Sequence, residues 1–250
     1  MPRAEDYQHL PIEYASLSWY ESSKGSDPLY TKPLALDLAI HPNRSGRIII
    51  NYPGWRGDRE GFNRKHQKLA QYMQGESLGA VVRGKGPGHP DFGGFPLDTQ
   101  LRKMINFSIG NSKQICGAEE PELLLIGTSA GGSAVAATGT RYEWVKRILL
   151  MAPSGDVDKN EIKKGMGAFN GEVYVVIGEN DDVVGGRESG EYFESLAVNA
   201  TRRELFVLPD CNHQFHGEVN GRYMSQAPFY AFTKGKRPSF PDPNGGMILY

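Results

Sequence analysis

The stretch that most restricts the fold is Leu123-Leu124-Leu125-Ile126, which runs straight into Gly127-Thr128-Ser129-Ala130-Gly131 and then Gly132-Ser133-Ala134-Val135-Ala136-Ala137. The aliphatic run reads as a strand buried on both faces. The small residues after the turn read as a helix lying close against a sheet. Between them the chain reverses within a few residues, and glycines on either side of Ser129 permit a backbone approach that a Cβ would block. The order strand, Gly-x-Ser-x-Gly, helix places a serine on a sharp, crowded turn beside the free N–H groups of a helix start. Gly-rich turns also cradle phosphates, but this one has neither Gly-x-Gly-x-x-Gly nor Gly-Lys-Ser/Thr. Ser129 is therefore the candidate nucleophile.

Five further apolar runs follow the same logic: Arg47 to Tyr52, Gly79 to Val82, Val145 to Ala152, Glu172 to Ile177 and Glu204 to Leu208. Amphipathic stretches alternate with them. Phe62, His66, Leu69, Ala70 and Met73 form a one-sided stripe, as do Leu97 to Phe107 and Tyr192 to Ala197. Alternation of this kind predicts right-handed strand–helix–strand crossovers. Before residue 45 the pattern changes to polar/apolar alternation in Tyr14 to Tyr20 and Leu34 to Ile40, with turn signals at 25–28 and 42–43. These predict antiparallel strands at one edge. The expected class is α/β: a mostly parallel central sheet, helices on both faces and antiparallel N-terminal strands. The Pro- and Gly-rich stretch 237–246 is expected to be irregular.

With that context around Ser129, residues 30–232 resemble the α/β-hydrolase superfamily. The resemblance implies an order along the chain of nucleophile, acid, histidine. Glu172 to Ile177 is followed by Gly178-Glu179-Asn180-Asp181-Asp182-Val183-Val184, which is similar to the family's acid loop. Asp181 takes the acid position, where it would fix the histidine tautomer and stabilise its cation. Asp182 is the rival, and Glu179 sits too near the strand end. Glu204 to Leu208 is followed by Pro209-Asp210-Cys211-Asn212-His213-Gln214-Phe215-His216. His213 fits the family's general base, while His216 reads as the start of the last helix. The earlier histidines, His9, His41, His66 and His89, are out of order for that role. In the family, a Gly-containing loop after the strand Arg47 to Tyr52 and the residue after the nucleophile supply oxyanion N–H donors. Here these would be the backbones of Trp55 and Ala130, although Pro53-Gly54 replaces the usual His-Gly opening. Asp58 reads as a cap for the next helix. The Gly-rich segment 84–95 offers Phe92 and Phe95 as substrate-lining residues.

What the resemblance implies is a serine hydrolase that cleaves a carboxylic ester or related acyl compound through an acyl-enzyme. The same triad serves peptidases, thioesterases and acyltransferases, and a non-catalytic hydrolase-fold binding protein is the rival of another class. The segment between residues 152 and 172 is too short for a cap domain, so 1–250 is expected to be a single domain with an open pocket. No metal or cofactor is expected; the partner is a small-molecule acyl substrate, and the oligomeric state is left open.

Charge and composition exclude other classes. With 28 basic and 29 acidic residues the net charge is -1, and no block of like charge favours nucleic acid. No apolar stretch approaches the roughly 20 residues of a membrane span. No basic-then-apolar leader opens the sequence, which points to a cytoplasmic home. Cys116 and Cys211 are too few for a disulfide framework and are expected to be reduced thiols.

Overall fold

All six continuous apolar runs become parallel strands of one sheet. A computed structural model of the chain describes residues 2–21, 32–86, 96–233 and 239–250. The strands are β1 (Glu13–Glu21), β2 (Lys32–His41), β3 (Arg47–Tyr52), β4 (Ala80–Gly84), β5 (Glu122–Thr128), β6 (Val145–Met151), β7 (Glu172–Gly178) and β8 (Arg202–Leu208). Their order across the sheet is β1-β2-β4-β3-β5-β6-β7-β8. From β4 to β8 every pairing is parallel, whereas β1 pairs antiparallel with β2, and β2 with β4. The expected antiparallel strands therefore lie at one edge.

Helices α1 (Lys65–Gly75), α2 (Leu97–Gly110), α3 (Ser112–Cys116), α4 (Ala130–Thr138), α5 (Lys159–Ala168), α6 (Gly186–Leu196) and α7 (Glu218–Phe232) connect or follow these strands. The sheet's pleat divides its aliphatic side chains between two cores. Ile48, Ile50, Leu123 and Leu125 face Leu101, Met104, Ala134, Met166 and Phe193 of α2, α4, α5 and α6. Ile49, Leu124 and Ile126 face Leu69 and Met73 of α1 and Met224 and Phe229 of α7. A fully buried side chain of this size contributes about 1.5–3 kcal/mol, so both layers are needed to hold the sheet.

Residues 239–246 form no helix or strand, as expected for that part of the stretch 237–246, and neither do 247–250, yet this tail is not loose. Met247 and Leu249 are fully buried in the second core, against the α1 and α7 side. Helix starts vary in quality. Asp158 caps α5, its carboxylate accepting from the N–H groups of Asn160 and Glu161. Asp58 does not cap α1, contrary to expectation. Its carboxylate accepts from the Glu60 N–H in a turn, and α1 begins only at Lys65.

One buried cation ties three neighbouring strands together at their N-terminal ends. Arg147 of β6 lies 2.9 Å from Glu122 of β5 and 3.2 Å from Glu172 of β7, and donates to the Phe232 carbonyl of α7. Its side chain is only 7% exposed, while Glu122 is 33% exposed and so partly screened. Arg147→Met should therefore lower the unfolding free energy by about 2 kcal/mol in urea titration, with the two glutamates left facing each other.

Candidate active site

Ser129 stands between β5 and α4 with φ 53° and ψ -125°, a left-handed conformation that β-carbon-bearing residues rarely adopt. The turn is held by three backbone bonds: Ser129 N–H to the Met151 carbonyl at 3.0 Å, and the Ser129 carbonyl from Gly132 and Ser154. Crowding explains the glycines. A Cβ on Gly131 would lie 2.4 Å from the Tyr52 carbonyl oxygen and 2.5 Å from that of Pro53. A Cβ on Gly54 would lie 2.9 Å from the Ser129 Cβ and 3.3 Å from its Oγ. The loop after β3 thus rests directly on the serine turn.

The loops after β7 and β8 deliver the other two residues. His213 Nε2 lies 3.0 Å from Ser129 Oγ, and His213 Nδ1 lies 2.9 Å from Asp181 Oδ2. The Asp181 carboxylate is fully buried, and its Oδ1 accepts from the N–H groups of Val183 and Val184, both at 3.1 Å. An ionised carboxylate only accepts, so Nδ1 carries the proton and Nε2 offers its lone pair to the serine hydroxyl. The two loops are joined by main chain: Asn180 N–H donates to the Cys211 carbonyl and Glu179 N–H to that of Leu208. The rivals Asp182 and Glu179 are exposed and outside this chain of bonds. His216 is also exposed and precedes α7 by two residues rather than opening it.

Trp55 lines the cleft at Ser129 and packs its ring on the first core. Ala130 is the first residue of α4, so its N–H has no partner within the helix. Phe92 and Phe95 lie outside the described residues. The loop after β3 is anchored from below by Arg83 of β4, whose side chain is 1% exposed. Arg83 donates to the Arg59 carbonyl at 2.7 Å, pairs with Glu60 at 3.0 Å and donates to His41 Nε2 at 2.8 Å. Burial and this guanidinium together push the His41 imidazole down to about 3.

The cleft above Ser129 has a volume of about 210 Å³ and also includes Pro53, Phe62, Lys65, Phe215 and Met224. Lys65 was not foreseen. It is buried, and its ammonium donates to the Gln214 carbonyl and the Tyr250 hydroxyl; Tyr250 donates to the same carbonyl at 2.7 Å. Burial lowers its pKa to about 8. Its partners come from positions 149 and 185 residues away, so no local signal marks it. Cys116 and Cys211 are free and buried, and burial beside Asp181 pushes the Cys211 thiol up to about 12. Among the described residues no cluster of His, Cys, Asp or Glu could hold a metal ion, and no helix is long and apolar enough to cross a membrane.

No family model and no curated protein sequence matches the chain. Solved structures do. The esterase domain of a Rhodothermus marinus protein is 16% identical, with a TM-score of 0.59 over 89% of this chain and 96% of that one. Est1E from Butyrivibrio proteoclasticus is 14% identical, with a TM-score of 0.59 over 84% and 95%. The fold is that of the α/β-hydrolases. A putative dipeptidyl aminopeptidase IV from Bacteroides ovatus shares it at 13% identity and a TM-score of 0.64, matching 90% of this chain but 36% of that one. The α/β-hydrolase fold accounts for the strand order and for the position of the cleft at the carboxyl ends of β3, β5 and β8.

Lys65 gives a pH test of this geometry. Between about pH 8 and the ordinary lysine value of 10.5, the unfolded chain keeps a proton that the folded lysine has released. Stability conferred by this site therefore rises with pH across that window, by about 2–3 kcal/mol. Denaturant titrations at pH 7.5 and 10 should show that rise in the wild type and a smaller one in Lys65→Met.

Proposed function

We propose that this chain is a serine hydrolase that cleaves a carboxylic ester or a related acyl compound. The observation that carries the reading is the unbroken hydrogen-bond chain from Ser129 Oγ through His213 to the buried Asp181 carboxylate. In this mechanism Ser129 Oγ attacks the acyl carbon while His213 Nε2 takes its proton. The same proton then passes from His213 to the leaving group, and the C–O bond to that group breaks. Water, deprotonated by His213, attacks the acyl-enzyme, and the acid leaves as the serine regains its proton. Asp181 holds the imidazole and stabilises its cation throughout. The N–H groups of Trp55 and Ala130 are the proposed oxyanion donors, supported by the contact of Gly54 with the serine turn. The steps use only groups of the chain and water.

We read residues 1–250 as one domain without a cap. Between β6 and β7 the chain forms α5 as its regular element, which leaves little to cover the cleft. An open cleft suits short, soluble or polymeric esters more than long emulsified ones. The two buried free thiols fit a reducing compartment such as the cytoplasm. A peptidase is the second reading, favoured by the likeness to the Bacteroides ovatus protein.

A fluorophosphonate probe tests the nucleophile. The wild type should be labelled, and Ser129→Ala should not; equal labelling of both would remove Ser129 from the role. His213→Ala should slow ester hydrolysis by about three orders of magnitude or more, since such residues act as a unit. Gly54→Ala should slow labelling at least about tenfold, because the added methyl displaces the loop that would hold the oxyanion, and should lower Tm by a few degrees, because that methyl is forced against the serine turn. Parallel ester, amide and thioester substrates decide between the two readings.

A further inference from the structure

Phe62 carries the apolar side chain of the cleft that the fold buries least. It lines the same cleft as Ser129 and His213, yet it is 73% exposed. It opens a short 3-10 turn, Phe62–Arg64, that follows Gly61 at φ 70° and contains Asn63 at φ 53° and Arg64 at φ 57°. Two successive non-glycine residues in the left-handed region are a strained backbone, and strain of this kind persists only where the surroundings enforce it. The same turn starts α1: the Glu60 carbonyl accepts from the N–H groups of His66 and Gln67, and the Phe62 carbonyl from that of Lys65. The residue before that helix, Arg64, makes no side-chain cap bond, whereas Ser, Thr, Asp or Asn there would. The strained turn thus closes the helix start through its backbone and, in the same residues, holds an aromatic ring out at the cleft.

The ring is also placed between the two loops that meet there. Its centroid lies 6.2 Å from that of His216, at 69°, and the His216 ring lies 5.8 Å from that of Tyr250, at 77°. Both are edge-to-face contacts, the arrangement aromatic rings favour. Phe62, from the loop after β3, thus contacts the histidine loop after β8 beside the nucleophile. Pro53, Trp55, Phe215 and Met224 continue the apolar wall inward. A substrate ring entering the cleft would bury the exposed part of Phe62 and gain both apolar area and ring–ring contact.

We infer that Phe62 is a specificity-determining platform that selects substrates carrying an aromatic ring. The inference rests on the hydrolase reading for its reaction, though ring binding can be measured without turnover.

The test compares wild type, Phe62→Leu, which keeps apolar bulk without a ring, and Phe62→Trp, which restores one. Two matched pairs place the ring on either side of the ester: methyl phenylacetate against methyl cyclohexylacetate, and benzyl acetate against cyclohexylmethyl acetate. For one pair, the aryl-to-cyclohexyl ratio of kcat/KM should fall about fivefold in Phe62→Leu and return in Phe62→Trp. Which pair responds tells whether the ring belongs to the acid or the alcohol. A ratio that stays within twofold in both pairs overturns the platform. A second arm titrates phenylacetate, benzyl alcohol and their cyclohexyl counterparts into Ser129→Ala protein with and without Phe62→Leu, by calorimetry. An aryl preference lost with Phe62 supports the platform even if the fluorophosphonate probe fails to label the wild type, an outcome that would sink only the hydrolase reading. No aryl preference in the Ser129→Ala protein overturns the platform whatever the probe does.

Discussion

Where β5 turns into α4, backbone from two separate crossovers comes closer than any side chain would allow. Gly131 lies against the carbonyls of Tyr52 and Pro53, and Gly54 lies against Ser129 itself. This contact sets the distance between the end of β3 and the end of β5. The serine's unusual backbone is its consequence, because a residue pinned from both sides cannot relax to an ordinary turn. The small side chains of α4 follow too: Ala134, Val135 and Ala136 are fully buried, and a larger residue would push the helix off the sheet and open the contact.

The other half of the site depends on main-chain bonds as well as on crowding, since a Cβ on Gly178 would lie 2.2 Å from the Cys211 carbonyl oxygen. The loops after β7 and β8 are stitched together by backbone bonds from Glu179 and Asn180 before either offers a side chain. Asp181 then spends one oxygen on Val183 and Val184 and the other on His213. A carboxylate with both oxygens engaged has one available orientation, so the imidazole it holds has one as well. Arg83 plays a comparable part beneath the loop after β3, reaching from a central position in the sheet to carbonyl, carboxylate and imidazole.

Much of this was legible in the sequence because it is local. Each aliphatic run names its own strand, and Ser129, Asp181 and His213 each stand a fixed few residues past one. The alternation of Tyr14 to Tyr20 and Leu34 to Ile40 was enough to assign the antiparallel edge. What was not legible depends on distant pairs. Lys65 reads as one more polar helix residue until Gln214 and Tyr250 are placed beside it. Phe62 belongs to the α1 stripe by spacing, but α1 begins three residues later and the ring turns outward. Asp58 looked like a cap because the sequence gives no sign that a strained turn intervenes before the helix.

The final stretch of chain has a bearing on how the site moves. Met247 and Leu249 are sealed into the second core, and the next side chain, Tyr250, reaches the Gln214 carbonyl beside His213. Detaching that stretch would expose apolar surface and remove the Tyr250 bond to the histidine loop in the same event. Opening of the tail and loosening of that loop are therefore coupled through Tyr250. A segment without helix or strand thus adds its own hold on the loop that carries the His213 imidazole, beyond the one that Asp181 exerts.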